Sequence, residues 1–321
     1  MQDQICSLSK ENENILLSLI IPVLNEEAAI PIFLKKINNI FNNIEYITLE
    51  IVFINDGSSD DTLTKLLEMQ YHDPRIIVVD LSRNFSKEAA LSAGLEVANG
   101  RVIVPLDVDL QDPPELIPAM VAKWREGYEV VVGRRARRDE DSWAKRISAR
   151  WFYRVHNAFA DQKLPENVGD FRLMDRSVVN AINALPESCR FMKGLFAWVG
   201  FRTTYIDYAR PARVAGESKF NAWRLWNFAL DGITSFSTVP LRIWAYIGFA
   251  LAFTAFIFAT LLFLRVFISG VDVPGYTSLM VSIIFFGGLQ LIGIGVLGEY
   301  LGRNYIESKR RPVFLIRKIY K

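Results

Sequence analysis

The sequence predicts an α/β domain on a mostly parallel sheet, joined to a pair of membrane-spanning helices near its carboxyl end. Three observations carry that reading. Short β-branched runs alternate with helix-periodic segments between Leu16 and Val132, two long runs after Ile243 carry no charge, and 51% of the 321 residues are hydrophobic with a mean hydropathy of +0.17. An ordinary soluble chain covers itself with more polar surface. The length exceeds one average domain, so a large catalytic unit plus a lipid-solvated appendage is expected.

The first predicted strand is Leu16 to Val23 (LLSLIIPV). Ile51 to Ile54, Ile76 to Val79, Val102 to Leu106 and Val130 to Val132 are similar β-branched runs, as expected of parallel strands buried on both faces. Between them the apolar spacing is helical over Glu27 to Phe41, Asp60 to Gln70, Ser86 to Ala98 and Pro113 to Arg125. Ser59 ahead of Asp60 and Asp61, Ser86 as an N-cap, and Pro113 with Pro114 in a first turn supply start signals. Strand and helix in this rhythm define an α/β domain.

Ile243 to Leu264 is uncharged, and at about 1.5 Å rise per residue it is long enough for a hydrocarbon core of about 30 Å. Val273 to Gly298 is also uncharged, and only Arg265 and Asp272 lie between the two runs. Two transmembrane helices, about 243–264 and 275–298 within 241–300, are expected to form a hairpin. Gly287, Gly288, Gly293, Gly295 and Gly298 would permit close helix approach, within the chain or in a homo-oligomer. Residues 301–321 then read as a basic cytoplasmic tail with Arg303, Lys309, Arg310, Arg311, Arg317, Lys318 and Lys321 against Glu299 and Glu307. An even number of spans puts the catalytic domain and both termini on that side. Ahead of the first span, in 216–240, Phe220, Trp223, Trp226, Asn227, Leu230 and Ile233 recur at helical spacing, which predicts an interfacial helix.

Lys and Arg number 37 against 35 Asp and Glu, for a net charge of +2, so gross charge gives no sign of nucleic-acid binding. Cys6 and Cys189 are the only cysteines, too few for a disulfide framework or a zinc cluster. His72 and His156 are equally isolated and read as structural or surface residues. Residues 1–14 form a polar extension without the pattern of a secretory signal.

In open α/β sheets ligands bind beyond the carboxyl ends of the strands, and this edge is acidic. Asp107 and Asp109 follow the fourth strand, where an extended backbone would point both side chains the same way. Two hard oxygen ligands suit Mg²⁺ or Mn²⁺, with a diphosphate and water completing the shell. Asp56 and Gly57 read either as a tight turn or, with Pro22 and Glu26 on the neighbouring strand end, as a nucleoside pocket. Lys87, Arg134, Arg135, Arg146 and Arg150 are candidates to answer phosphates.

Six ordered motifs, Pro22 to Glu27, Asn55 to Thr62, Ser82 to Phe85, Asp107 to Glu115, Gly169 to Arg172 and Gly216 to Lys219, closely resemble the family 2 glycosyltransferases of the dolichol-phosphate-mannose-synthase type. The two-span tail is most similar to that of the bacterial bactoprenol (undecaprenyl-phosphate) glucosyltransferases. The resemblance implies a Rossmann-like GT-A catalytic domain over 15–215, a divalent cation, and inversion at the anomeric centre. It implies that Asp107, Asp109 and Gln111 hold the metal, and that Pro22, Leu24, Glu26, Asp56, Lys87, Asp107 and Arg134 bind the nucleotide sugar. Asp109, Asp170 and Arg172 are the expected catalytic residues, and Arg213, Ser218 and Lys219 match a loop for the acceptor phosphate.

The donor implied is UDP-glucose and the acceptor a polyprenyl phosphate at the cytoplasmic face of the bacterial inner membrane. That acceptor is an anion at neutral pH and needs no strong general base, so Asp170 can orient rather than abstract. Mannose, N-acetylglucosamine and an aminopentose stay open as the sugar, as does a non-catalytic membrane-tethered nucleotide-sugar-binding protein. A processive synthase and a lipid flippase are disfavoured: two spans offer little channel wall, and neither carries an ionisable group.

Overall fold

The computed structural model describes residues 14–42, 44–135, 168–188, 190–209, 239–269 and 275–321. Its sheet has eight strands: β1 (Ile15–Val23), β2 (Ile47–Asn55), β3 (Ile76–Leu81), β4 (Val102–Pro105), β5 (Val130–Arg135), β6 (Val168–Asp175), β7 (Thr203–Tyr208) and β8 (Ile316–Tyr320), in the order β7-β5-β6-β4-β1-β2-β3-β8. β4, β1, β2 and β3 are mutually parallel. β6 enters antiparallel between β4 and β5, so β5 keeps the direction of the other predicted strands.

Helices α1 (Ala29–Phe41), α2 (Thr62–His72) and α4 (Ile117–Arg125) share one buried cluster with the sheet, through Phe33, Leu66 and Met120. On the other face α3 (Lys87–Val97), α5 (Arg176–Asn183) and α6 (Met192–Trp198) contribute Ala90, Val178 and Met192 to a second. Strands sandwiched this way need apolar side chains on both faces. Ile20, Ile21, Ile51, Val52, Phe53 and Ile54 are accordingly all fully buried. α3 sits especially close because its inner face is small: a Cβ on Gly94 would lie 2.2 Å from Ile20 Cγ2.

Three start signals resolve differently from expectation. Asp61, not Ser59, occupies the N-cap of α2. Ser86 is at the N-cap of α3, but its side chain makes no capping bond and its φ is +85°. Pro114 opens a short 3₁₀ turn, Pro114–Leu116, before α4 begins.

Two long helices, α7 (Val239–Ser269) and α8 (Tyr276–Ser308), follow. Phe249, Phe253, Phe256, Phe285, Leu291 and Leu297 are exposed along them, an amount of apolar surface unusual on a water-soluble protein. Among the described residues one helix, over Phe285–Ser308, is long and apolar enough to cross a membrane, and α7 contributes the shorter apolar run Ile243–Phe258. The helices touch where Gly293 leaves room for the Trp244 indole, whose Nε1 would be 1.9 Å from an added Cβ. Residues 216–238 of the expected interfacial segment 216–240 and residues 1–13 of the amino-terminal extension lie outside the described residues, and residues 239 and 240 open α7.

The carboxyl end corrects the expectation of a simple basic tail. β8 adds to the edge of the sheet, antiparallel to β3, and Glu307 at the end of α8 accepts the Ser188 backbone N–H at 3.0 Å.

Candidate active site

The site lies along the carboxyl ends of β1, β2, β3 and β4 and at the start of β6. After β1, the chain at Leu24 to Glu26 is zipped to the loop after β2. Asn25 N donates to Ser58 Oγ at 3.0 Å, Ser59 N donates to Asn25 Oδ1 at 2.8 Å, and Glu26 N donates to Thr62 Oγ1 at 3.0 Å. Pro22 and Glu26 are half-buried, and Leu24 holds an exposed apolar side chain at this rim.

Asp56 is buried, with Oδ1 accepting Phe85 N at 2.7 Å and Oδ2 accepting Ser86 N at 3.0 Å. Its carboxylate therefore fastens the β3–α3 loop across the β2–α2 loop. Burial pushes its pKa up, partly offset by those two N–H groups and by Arg83. The two loops approach so closely at Gly57, φ +73°, that a Cβ would stand 2.6 Å from Asn84 N.

Asp107 and Asp109 are each partly exposed while Val108 between them is buried. The alternation is as expected, but the backbone is not: β4 ends at Pro105 and residues 108 and 109 form a turn. Asp109 Oδ1 accepts Gln111 N at 3.1 Å, and Leu110 between them has φ +56°. Among the described residues the non-glycine positive φ angles are at Asn25, Ser86, Leu110 and Arg310. Three of these sit on site loops, where backbone strain commonly collects.

The antiparallel course of β6 decides the rest. Val102 pairs with Asp175 and Ile103 with Met174, and continuing that register brings Asp170 level with Asp107. Lys87, at the first turn of α3, bridges them: Nζ is 2.6 Å from Asp107 Oδ1 and 3.2 Å from Asp170 Oδ2. Burial alone would raise the Asp170 pKa, but Lys87, Lys193 and Arg172 outweigh it and hold the carboxyl below its usual range. The same partners, Asp170 and Asp107, overcome burial to raise that of Lys87.

Arg172 is buried, its Nη2 donating to Gly169 O at 2.8 Å and its guanidinium 3.9 Å from the Phe196 ring centre. Burial lowers its pKa to about 10. Arg172 Nε and Asp170 Oδ1 have no hydrogen-bond partner among the described residues. Buried polar atoms without partners are rare, and each calls for an explanation such as strain, a catalytic role, a water or an ion.

Arg134 projects to the solvent side and pairs with Asp207 at 2.6 Å, because successive side chains of a strand alternate. Arg135 faces the site instead, with Nη2 3.9 Å from Asp112 Oδ1, 3.3 Å from a Cβ position at Gly169, and Nε donating to Tyr208 Oη at 3.4 Å. Sequence reasoning passed over Glu88, whose pKa burial and Asp170 push up to about 7 and whose Oε2 accepts Met192 N at 3.1 Å. Its position next to Lys87 at a helix start was the available signal. Arg213, Ser218 and Lys219 lie outside the described residues.

Among the described residues no three His, Cys, Asp or Glu side chains converge as a metal cluster. The donor set of Asp107 and Asp109 suits a hard cation that takes its remaining oxygen ligands from a diphosphate and water.

Residues 18–182 match the model of the family described as glycosyl transferase family 2. The chain belongs to glycosyltransferase family 2. This glycosyltransferase is 52% identical over 305 residues to the prophage bactoprenol glucosyl transferase homolog of Escherichia coli K12, covering 95% of this chain and 99% of that one. It is 51% identical to the bactoprenol glucosyl transferase of Shigella phage SfV, covering 94% and 98%. Among solved structures, a glucosyl-3-phosphoglycerate synthase from Mycobacterium tuberculosis, in complex with Mg²⁺ and UDP, is 20% identical with a TM-score of 0.48, over 72% of this chain and 81% of that one.

Proposed function

We propose that the enzyme transfers glucose from UDP-glucose to undecaprenyl phosphate on the cytoplasmic face of the bacterial inner membrane, with inversion at the anomeric carbon. The observation that carries the proposal is Lys87 clamped between Asp107 and Asp170, beside the buried atoms Asp170 Oδ1 and Arg172 Nε that find no hydrogen-bond partner among the described residues. Such a centre is prepared for a polar sugar between two phosphates. The names of the full-length relatives support the lipid acceptor and the sugar.

In this reading Pro22, Leu24, Glu26 and Asp56 surround the nucleoside. Asp107 and Asp109, with Gln111, would hold Mg²⁺ or Mn²⁺, which when bound offsets charge on the departing diphosphate. A phosphate oxygen of the acceptor attacks the anomeric carbon, the bond from that carbon to the UDP oxygen breaks, and UDP leaves. No proton has to move. Asp170, kept ionised by its cations, then orients the sugar rather than acting as a base, and Arg172 and Arg135 hold the anionic reactants in line. Arg213, Ser218 and Lys219 are proposed to receive the acceptor phosphate.

The return of β8 to the sheet after α7 and α8 supports a hairpin that enters and leaves the membrane on the side of the catalytic domain. Incubating the full chain in nanodiscs with labelled UDP-glucose and undecaprenyl phosphate tests the proposal. Label should appear in a lipid of one sugar, and Asp109→Asn, which keeps an oxygen for the Gln111 N–H, should abolish it. Label confined to long polymer, or transfer only from another nucleotide sugar, would sink it.

A further inference from the structure

The carboxyl-terminal strand reaches the nucleotide end of the site by an irregular path. Asp80 pairs with Lys318 but Leu81 pairs with Ile316, so Arg317 is the extra residue of a β-bulge. Bulges re-aim side chains and collect beside active sites. Here the bulge turns Arg317 back onto the sheet: Nη1 is 3.2 Å from Asp80 Oδ2 and Nη2 donates to Ser82 O at 2.7 Å. Ser82 N in turn donates to Leu315 O at 2.9 Å.

Both partners lead to the same loops. Asp80 is buried, and its Oδ1 accepts Asn55 Nδ2 at 2.8 Å, while Asn55 Oδ1 accepts Ser58 N at 3.2 Å. Ser82 opens the segment whose Phe85 and Ser86 amides bind Asp56, immediately before Lys87. Phe314 and Ile316 pack in the cluster that also takes up Phe85. One guanidinium thus ties the β2–α2 loop, the β3–α3 loop and the segment returning from α8.

We propose that β8 completes the donor site, with Arg317 as a positioning residue that sets the Ser82 to Ser86 loop against Asp56. The proposal rests on the reading that this edge binds the nucleoside of a UDP-sugar. It makes donor affinity depend on the chain that returns from the membrane helices.

The test uses the full chain, UDP with Mn²⁺ as the probe in calorimetry, UDP-glucose in turnover, and hydrogen exchange of the Phe85 and Ser86 amides. Arg317→Ala should raise the Kd for UDP and the KM for UDP-glucose by about three- to tenfold, the range of one ordinary hydrogen bond lost, because the Arg317 side chain is 61% exposed and its charge is screened by solvent. Turnover at saturation should change little, and exchange at Phe85 and Ser86 should quicken. Arg317→Lys keeps the charge but cannot reach Asp80 and Ser82 together, so it should restore only part of the affinity; it also serves if the alanine variant is too unstable to purify. Lys318→Ala, which removes the neighbouring exposed cation, should match the wild type. Wild-type exchange and UDP affinity in Arg317→Ala, or full rescue by lysine, overturns the proposal. Faster exchange in a protein whose wild type ignores UDP overturns the donor reading instead and leaves the positioning role standing.

Discussion

Replacing Lys87 with methionine removes the ammonium that joins Asp107 to Asp170 while keeping a side chain of similar length. Nζ makes contacts of 2.6 and 2.9 Å with the two Asp107 oxygens and 3.2 Å with Asp170 Oδ2. Bonds of this charge-assisted kind contribute about 1.5–3 kcal/mol each when sheltered. The Lys87 side chain is 44% exposed, so solvent screening reduces the pair of partnerships to about 2–3 kcal/mol in all. If that organisation is needed at the transition state, turnover falls by about 30- to 150-fold. The acid limb of the residual activity should move to higher pH, because Asp170 loses the nearest of the cations that hold its carboxyl down. The assay is initial-rate transfer to lipid across pH, with Asp109→Asn as the inactive reference and thermal unfolding as a check on integrity. A folded Lys87→Met enzyme within about threefold of wild type, with an unmoved pH profile, would refute the clamp and leave Lys87 a solvated surface charge.

The opposed faces of β5 give a sharp contrast: Arg135→Ala should cost about tenfold or more in kcat/KM, whereas Arg134→Ala, which breaks the exposed pair with Asp207 and the contact over the Tyr205 ring, should stay within about twofold. Equal effects in kinetic assays would contradict the assigned strand phase. Glu88 titrates at about 7 in the folded state against 4.5 for its ordinary value. The fold therefore binds more protons than the unfolded chain between those values, and Glu88 stabilises it less as pH rises through that window. Thermal unfolding from pH 4.5 to 7 should show a flatter decline in Glu88→Gln than in wild type; parallel curves would remove Glu88 as the source. Gly57→Ala places a Cβ 2.6 Å from Asn84 N and 2.7 Å from Arg83 C at a φ of +73°. A loss of about 2 kcal/mol or more follows, with weakened UDP binding because the two loops must part. An unchanged Tm and unchanged calorimetric UDP affinity would disprove that account.

Much of the catalytic domain was legible from local pattern alone. Continuous β-branched runs announce strands buried on both faces, and β1 to β5 were found within a few residues at their ends. β6, β7 and β8 escaped for a physical reason. Val168 to Asp175 carries Asp170, Arg172 and Asp175, which strands ordinarily disfavour. Thr203 to Tyr208 lies at one edge, and Ile316 to Tyr320, at the other, carries Arg317 and Lys318 in the middle of a basic carboxyl end and reads like a solvated tail.

By itself the sequence determined the parallel core, the acidic edge with Asp107 and Asp109, the apolar carboxyl-terminal helices and membership of glycosyltransferase family 2. These follow from residue type and spacing, which act locally. Tertiary structure alone decided that Asp170 stands beside Asp107, that Arg135 rather than Arg134 faces the site, and that Arg317 returns to the sheet. Each depends on strand order, register or a bulge, and those are set by pairing between segments that can be more than two hundred residues apart, as Asp80 and Arg317 are.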